Sequence, residues 1–463
     1  MNWFNRVQAR FENDLRFARV LRGSISGLAS RGLTLLINVI TLPLTLHYLG
    51  RLQYGIWVTI STSVVMLAVL DLGVANTLTN FIAEAYAEEN RQKAQQYFAT
   101  AFWITIAIVL LLMPLSFALW RWLNWGSLFH VQDPLLVQEV RRCVAIAGMF
   151  LFLSMPLNLA NRVLGGYQEI HLANYFAIAN SVLSLVAITA TIWLHGSLVT
   201  LMAAYSGSML IGTLALNLWL CLWQRPWLKP FPRHVSRGVI RRLFGQGVLF
   251  FVIQLTGLVV FNSDNLVITH YIGAAAVTSY STAWKLTQYA TLLQGVLMPS
   301  LWPALAEAYH QRNMSWINST YLSLRKKTQW AVCVVALLMG LLGQWVIRVW
   351  TGGVVIPSHL LLWLMAFFAF LMTTTTNQAL LLAAVGRLRL EAVVAVLAAV
   401  SNLLLSVYLV QRVGAEGVIL STILSFAVFM VIPQAWEVKR VLRGHYLQPQ
   451  TDLASETVRS SQE

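Results

Sequence analysis

The feature that most constrains this chain is a motif that occurs twice in register. His47-Tyr48-Leu49-Gly50 recurs as His270-Tyr271-Ile272-Gly273, Ala83-Glu84-Ala85-Tyr86 recurs as Ala306-Glu307-Ala308-Tyr309, and Asn90 recurs as Asn313. Every pair is separated by the same 223 residues, with no gap between the tetrapeptides. One short match is expected by chance. Two in register call for a duplication, so the chain reads as two homologous halves. Between the tetrapeptides of each copy lie an apolar stretch and a polar exit, over 54–80 and 277–303. The repeated unit is therefore built of membrane helices, and internal repeats are a common plan among membrane transporters.

Composition bears on this directly. A chain of 463 residues that is 58% hydrophobic, 11% charged and has a mean hydropathy of +0.66 is not a water-soluble protein. Crossing a bilayer takes about 20 apolar residues per helix. Runs of that kind predict twelve spans, at 24–46, 54–79, 97–120, 142–164, 172–194, 198–223, 243–269, 277–303, 328–348, 358–384, 390–410 and 415–436. Short turns are expected at His195-Gly196-Ser197 and Thr351-Gly352-Gly353. The expected fold is an all-α integral membrane protein with two homologous six-helix lobes around a central cavity. The N-lobe covers 24–224 and the C-lobe 243–436. A Pro-rich basic linker at 225–242 joins them, an amphipathic helix at 1–23 precedes them, and a polar tail at 437–463 follows. The one sizeable outer loop expected in the first half is Arg121–Arg142, too small for a catalytic domain.

A formal net charge of +15 would suit a nucleic-acid binder, but its placement argues otherwise. Counting from a cytoplasmic N-terminus, 24 Lys and Arg fall on inner segments and six on outer loops, while Arg31 and Lys285 lie inside spans. The positive-inside rule accounts for that asymmetry, places both termini in the cytoplasm and requires no nucleic acid. Cys143, Cys221 and Cys333 lie in apolar spans without metal-ligand spacing. No nucleophile elbow, Walker loop or zinc-protease motif is found, so neither catalysis nor a cofactor is expected.

Ionisable groups inside a bilayer are costly and normally face a cavity or a partner. Arg31, Asp71, Asp264 and Lys285 are such groups. Shifted by the repeat, Arg31 falls on Gln254, Asp264 on Thr41, Lys285 on Thr62 and Asp71 on Gln294, so every equivalent position is polar. Related by a pseudo-twofold axis, these eight would line one hydrated space between spans one, two, seven and eight. Arg31 and Lys285 are then candidates to engage an anionic group such as a pyrophosphate by charge-assisted hydrogen bonds. Asn38, Gln254, Asn262 and Gln294 are candidates to line the same space. Asp264 and Asp71 are candidates for coupling to a proton or sodium ion. Mutual neutralisation of the two cations and two acids, with no ligand, is the alternative reading of the same residues. Glu84 and Glu307 are expected to pair with inner Lys or Arg or to gate the inner mouth, and His47 and His270 to serve at helix ends.

The second span and its exit, Asp71-Leu72-Gly73-Val74-Ala75-Asn76-Thr77-Leu78-Thr79-Asn80-Phe81-Ile82-Ala83-Glu84-Ala85, resemble the pattern of O-antigen and polysaccharide flippases. So do Leu49-Gly50 and Tyr54-Gly55-Ile56-Trp57, and the likeness extends over almost the whole chain. Those flippases belong to the multidrug/oligosaccharidyl-lipid/polysaccharide exporter superfamily. The resemblance implies a two-lobed, V-shaped transporter working by alternating access in the inner membrane. It would carry an undecaprenyl-pyrophosphate-linked oligosaccharide from the cytoplasmic to the periplasmic leaflet, among membrane lipids and beside polysaccharide polymerase and chain-length machinery. A multidrug cation antiporter of the same superfamily is the alternative. It would favour an acid-rich cavity, which Arg31 and Lys285 argue against. A membrane-embedded glycan polymerase or ligase would need a larger outer loop.

Overall fold

The computed structural model describes the backbone of residues 2–310 and 313–443. Side chains are described from Ser26 onward, except in short stretches concentrated at 246–253 and 292–310. The helices are α1 (Asn2–Leu67), α2 (Val74–Ala87), α3 (Arg91–Trp122), α4 (Trp125–Phe129), α5 (Pro134–Leu157), α6 (Leu159–Gly166), α7 (Ile170–Trp193) and α8 (Leu198–Trp219). The second half supplies α9 (Arg237–Tyr271), α10 (Ala274–His310), α11 (Met314–Trp350), α12 (His359–Ala384), α13 (Leu388–Val413), α14 (Ala415–Ser425) and α15 (Ile432–Leu442). There is no strand among the described residues. Helices are what a bilayer allows, because each satisfies its own backbone hydrogen bonds. Nine helices among the described residues are long and apolar enough to cross a membrane.

All twelve expected spans fall on helices. The first lies on α1 before a kink at Gly50, the second starts on α1 after it and ends on α2, and the last runs through α14 and α15. Large apolar side chains such as Phe117, Leu111 and Trp193 are 63%, 71% and 82% exposed. Such surfaces would drive aggregation in water and suit lipid tails instead. The last span of each half carries a π-helical segment, at Leu220–Gln224 and Phe426–Val431.

Three boundaries differ from the sequence reading. The second span is not one helix over 54–79. A 3₁₀ turn at Ala68–Asp71 and left-handed backbone at Leu72 (φ 54°) and Gly73 (φ 76°) break it before α2. The segment Arg121–Arg142, expected as an outer loop, is mostly helical. There α3 runs on to Trp122, Asn124 caps α4, and Asp133 caps α5 with Pro134 in its first turn. Helix α9 starts at Arg237, ahead of the span expected from 243, after two short 3₁₀ turns in the linker. Helix α1 is continuous from Asn2 into the first span. The amphipathic side-chain stripe expected on 1–23 lies outside the described residues, as does the tail from 444.

The duplicated motifs serve the same structural ends in both halves. Gly50 (φ 72°) and Gly273 (φ 118°) each turn the chain between two long helices, in a region of backbone space that favours glycine. Asn90 accepts from Lys93 N at 3.0 Å and Asn313 from Trp316 N at 3.1 Å, so each caps the third long helix of its half. Contacts between halves are exchanged in the manner of a twofold interface. The Gly55 position is so close to Ala274 that a Cβ there would sit 1.8 Å from the Ala274 carbonyl oxygen. The reciprocal pair closes too, with Thr278 Oγ1 donating to the Arg51 carbonyl at 2.6 Å. Gly55 and Thr278 are repeat equivalents, as are Arg51 and Ala274, so the pseudo-twofold axis passes between α1 and α10 at this point.

Candidate functional site

The junction of the halves, where α1 meets α9 and α10, carries Lys285 and Thr62 among the polar residues that the repeat singled out. One buried apolar cluster spans it, with Leu42, Leu46 and Ile60 from α1 beside Ile268, Ala274 and Val277. Thr59 and Thr269 hydroxyls hydrogen-bond across it at 2.7 Å, and Trp350 Nε1 donates to the Val39 carbonyl at 2.7 Å. These contacts join the halves at the end of the bundle that holds the Gly50 and Gly273 turns.

Below them sits Lys285 on α10, half-buried. Its ammonium donates to the Tyr54 hydroxyl at 3.0 Å and lies 5.7 Å from that ring centroid. Among the described residues no carboxylate is within ion-pair reach of it, so the sequence alternative in which the lumen charges neutralise one another does not hold for Lys285. Tyr54 is fully buried and stacks edge-on with Trp57, which meets Tyr205 in the same way. Tyr289, one helical turn past Lys285, keeps a buried hydroxyl with no hydrogen-bond partner among the described residues. A cation on an aromatic shelf with donors to spare is suited to an anion or a polyhydroxylated group.

Asp264 lies on α9, 3% exposed. The Tyr280 hydroxyl donates to its Oδ2, while Oδ1 has no partner among the described residues. Asn265 next to it donates from Nδ2 to Thr62 Oγ1 at 3.4 Å, and its Oδ1 is likewise unpartnered, as is Gln254 Oε1. Asn262 is half-buried on the same helix. Thus Thr62, the repeat equivalent of Lys285, does face the junction.

Arg31 and Asn38 are exposed on α1, two turns apart. Arg31 is nineteen residues before the Gly50 turn and Lys285 twelve past the Gly273 turn, so at about 1.5 Å per residue their depths differ by about 10 Å. Asp71 is placed differently. Its two oxygens accept from Gly73 N at 3.0 Å and Ala75 N at 3.3 Å, which caps α2 where the second span breaks. The side chains of Gln294 and Glu307 lie outside the described residues.

Glu84 closes a different cluster, at the other end of the bundle. Lys93 reaches it at 2.8 Å and Arg242 at 3.1 Å, and Arg242 also donates to the Tyr97 hydroxyl at 3.0 Å. The Lys93 hydrogen bond, helped by Arg242, holds the Glu84 carboxyl below its usual range, and Glu84 in turn raises Lys93. The cluster ties α2 and α3 to the start of α9. The histidines are exposed at the turns. His47 donates from Nδ1 to the Pro43 carbonyl at 2.9 Å and lies against Gly352, and His270 faces His130 with ring centroids 6.5 Å apart. Each therefore meets a left-handed turn, at Gly352 (φ 60°) and His130 (φ 52°), that follows the third long helix of the opposite half.

The sequence reading missed Tyr54, Tyr280 and Tyr289. One signal was available. Asp264 and Tyr280 are equidistant from Ile272 at the turn of the α9–α10 hairpin, and antiparallel helices bring such positions together.

The model of a protein family described as "polysaccharide biosynthesis protein" matches residues 20–308. No curated protein matches the sequence. Among solved structures, an inward-facing multidrug resistance MATE family transporter of the MOP superfamily aligns with a TM-score of 0.75 at 16% identity, over 89% of this chain and 96% of that one. An outward-facing MATE family transporter aligns with a TM-score of 0.63 at 17% identity, over 91% and 95%. A Pyrococcus furiosus MOP superfamily transporter, described as having a binding pocket of reverse polarity, aligns with a TM-score of 0.62 at 17% identity, over 92% and 96%. At these identities the likeness is one of fold.

Proposed function

We propose that this multi-pass membrane protein, which belongs to the polysaccharide biosynthesis protein family, is a flippase for a polyprenyl-diphosphate-linked oligosaccharide. The single observation that carries the reading beyond family and fold is Lys285. It is a cation at the junction of the halves, on the Tyr54 hydroxyl, with no acid paired to it among the described residues. A diphosphate entering from the cytoplasmic end meets Arg31 first and Lys285 about 10 Å deeper. The sugar occupies the polar space beside Gln254, Asn262 and Asn265, and the lipid tail stays in the bilayer. No bond of the substrate is made or broken. The halves are joined at the turn end, which the positive-inside rule assigns to the periplasm, so release requires those contacts to part. Asp264, buried with one oxygen uncommitted, is the group we assign to ion coupling.

The test is transport by the full chain in proteoliposomes, using a fluorescent undecaprenyl-diphosphate oligosaccharide placed in one leaflet. Lys285→Gln should slow translocation about 10- to 100-fold, the usual worth of a charged hydrogen bond. Full transport by both Lys285→Gln and Arg31→Gln would sink the cationic path. Efflux of cationic dyes with no lipid movement would move the assignment to a multidrug antiporter.

A further inference from the structure

Helix α11 packs on α10 and α12, and its first turns also meet α15, where Ile317 and Tyr321 join Val438 and Val441; the face bearing Arg325, Lys326 and Trp330 is exposed. Along its seam with α12 lies an open cavity of about 480 Å³, lined by Arg325, Lys326, Gln329, Trp330 and Cys333 of α11 and Phe370 of α12. Gln329 Nε2 donates to Thr374 Oγ1 at 3.3 Å, which ties the two helices at the polar end. Further along the seam the Trp363 ring lies on Gly340, and Leu337, Leu341 and Phe367 leave more than half or about half of their surface uncovered.

The charge of α11 is confined to its ends, with Arg325, Lys326 and Lys327 at one and Arg348 at the other. Residues 328–347 carry none, and at about 1.5 Å per residue this stretch spans about 30 Å, the thickness of the hydrocarbon core. Arg325 and Lys326 therefore stand at headgroup level with apolar wall beyond them. No Asp or Glu occurs between Glu307 and Glu391, and among the described residues neither cation makes an ion pair. A cationic mouth one turn from an exposed Trp330, opening on an apolar seam, complements a phosphate carried on acyl chains.

We propose that this seam is a binding site for an anionic phospholipid of the bilayer, its phosphate held by Arg325 and Lys326 and an acyl chain laid along Trp330, Cys333 and Phe370. The site lies apart from the Lys285 junction and does not depend on what is transported there. Phosphatidylglycerol, rather than a zwitterionic lipid, is the class it selects.

Native mass spectrometry of the full chain in neutral detergent, titrated with phosphatidylglycerol or phosphatidylcholine, tests this. The wild type should retain the anionic lipid in preference. Arg325→Gln with Lys326→Gln should lower apparent affinity for the first phosphatidylglycerol about tenfold or more and leave phosphatidylcholine unchanged. Arg237→Gln with Arg241→Gln, which removes as much charge from another exposed basic segment, should not alter it. Trp330→Ala, which keeps both cations, should weaken retention of either lipid. Equal binding of the two lipids by the wild type, or undiminished phosphatidylglycerol binding by the Arg325/Lys326 variant, overturns the proposal. It is also overturned if that variant loses only undecaprenyl diphosphate, because the basic pair would then serve the polyprenyl lipid.

Discussion

The two halves are alike where the chain turns and unlike where it faces itself. Gly50 and Gly273 make the same kind of turn, Asn90 and Asn313 cap the same helix, and His47 and His270 each lie against a turn of the opposite half. At the junction, Lys285 stands opposite a threonine in the repeat, Asp264 opposite another, and Arg31 opposite a glutamine. Duplication kept the residues that a helix end requires and freed the ones that line the space between halves. The lesson is that repeated residues mark the scaffold, whereas the candidate site is read from positions where the copies disagree.

The sharpest way to break this comparison is at the axis. Gly55→Leu puts a side chain where even a Cβ would overlap the Ala274 carbonyl, so little folded protein should be recovered, as judged by size-exclusion of the purified chain. Gly32→Ala, with nothing within 4 Å of the new carbon, should behave as wild type. If Gly55→Leu folds normally, the two helices do not approach as described.

Asp264→Asn sharpens the contrast on the diverged side. It should leave the yield of folded protein intact while abolishing the response of transport to imposed proton and sodium gradients. A gradient response equal to wild type would remove Asp264 from the coupling step. The duplicated caps should give equal and smaller effects. Asn90→Ala and Asn313→Ala are each expected to cost about 1 kcal/mol, read as similar falls in thermal midpoint. A large inequality between them would mean that the copies no longer play one role.

The smallest effect belongs to Glu84, a third exposed and so well screened. Glu84→Gln should lower the midpoint by about 1–2 °C at neutral pH. A carboxyl held low in the folded state stabilises above its unfolded pKa and ceases to do so as pH falls through its folded value. The difference between Glu84→Gln and wild type should therefore hold at neutral pH, shrink once pH falls below the ordinary glutamate range and vanish below the lowered folded value. A difference that persists there would mean the ion pairs with Lys93 and Arg242 are not its source.

The fold was legible because bilayer helices announce themselves by length and lack of charge, and because the repeat fixed the equivalence of the halves. What misled was punctuation. Apolar runs do not show that Leu72 and Gly73 leave the helix, nor that Asn124 and Asp133 start helices inside a segment that reads as a loop. At the site, the repeat pointed to Lys285 and Thr62, each of which hydrogen-bonds across the junction, and to Asp264, which is held by Tyr280 of its own half. It could not show that Asp71 accepts from the backbone amides of Gly73 and Ala75 where α2 starts, because a cap is a matter of local angles. The tyrosines on Lys285 and Asp264 escaped because a phenol in an apolar span looks like core until its hydroxyl's partner is known.

The exchange of contacts at Gly55 and Thr278 has a consequence for ancestry. Two identical chains meeting about a twofold axis must place the same residue on both sides of it, so any change there is made twice. Two copies that diverge after duplication are released from that rule. Glycine on one side, letting a backbone come close, and threonine on the other, bonding the Arg51 carbonyl, is an arrangement no symmetric pair could adopt. The present junction therefore postdates the duplication, and its halves are no longer interchangeable parts.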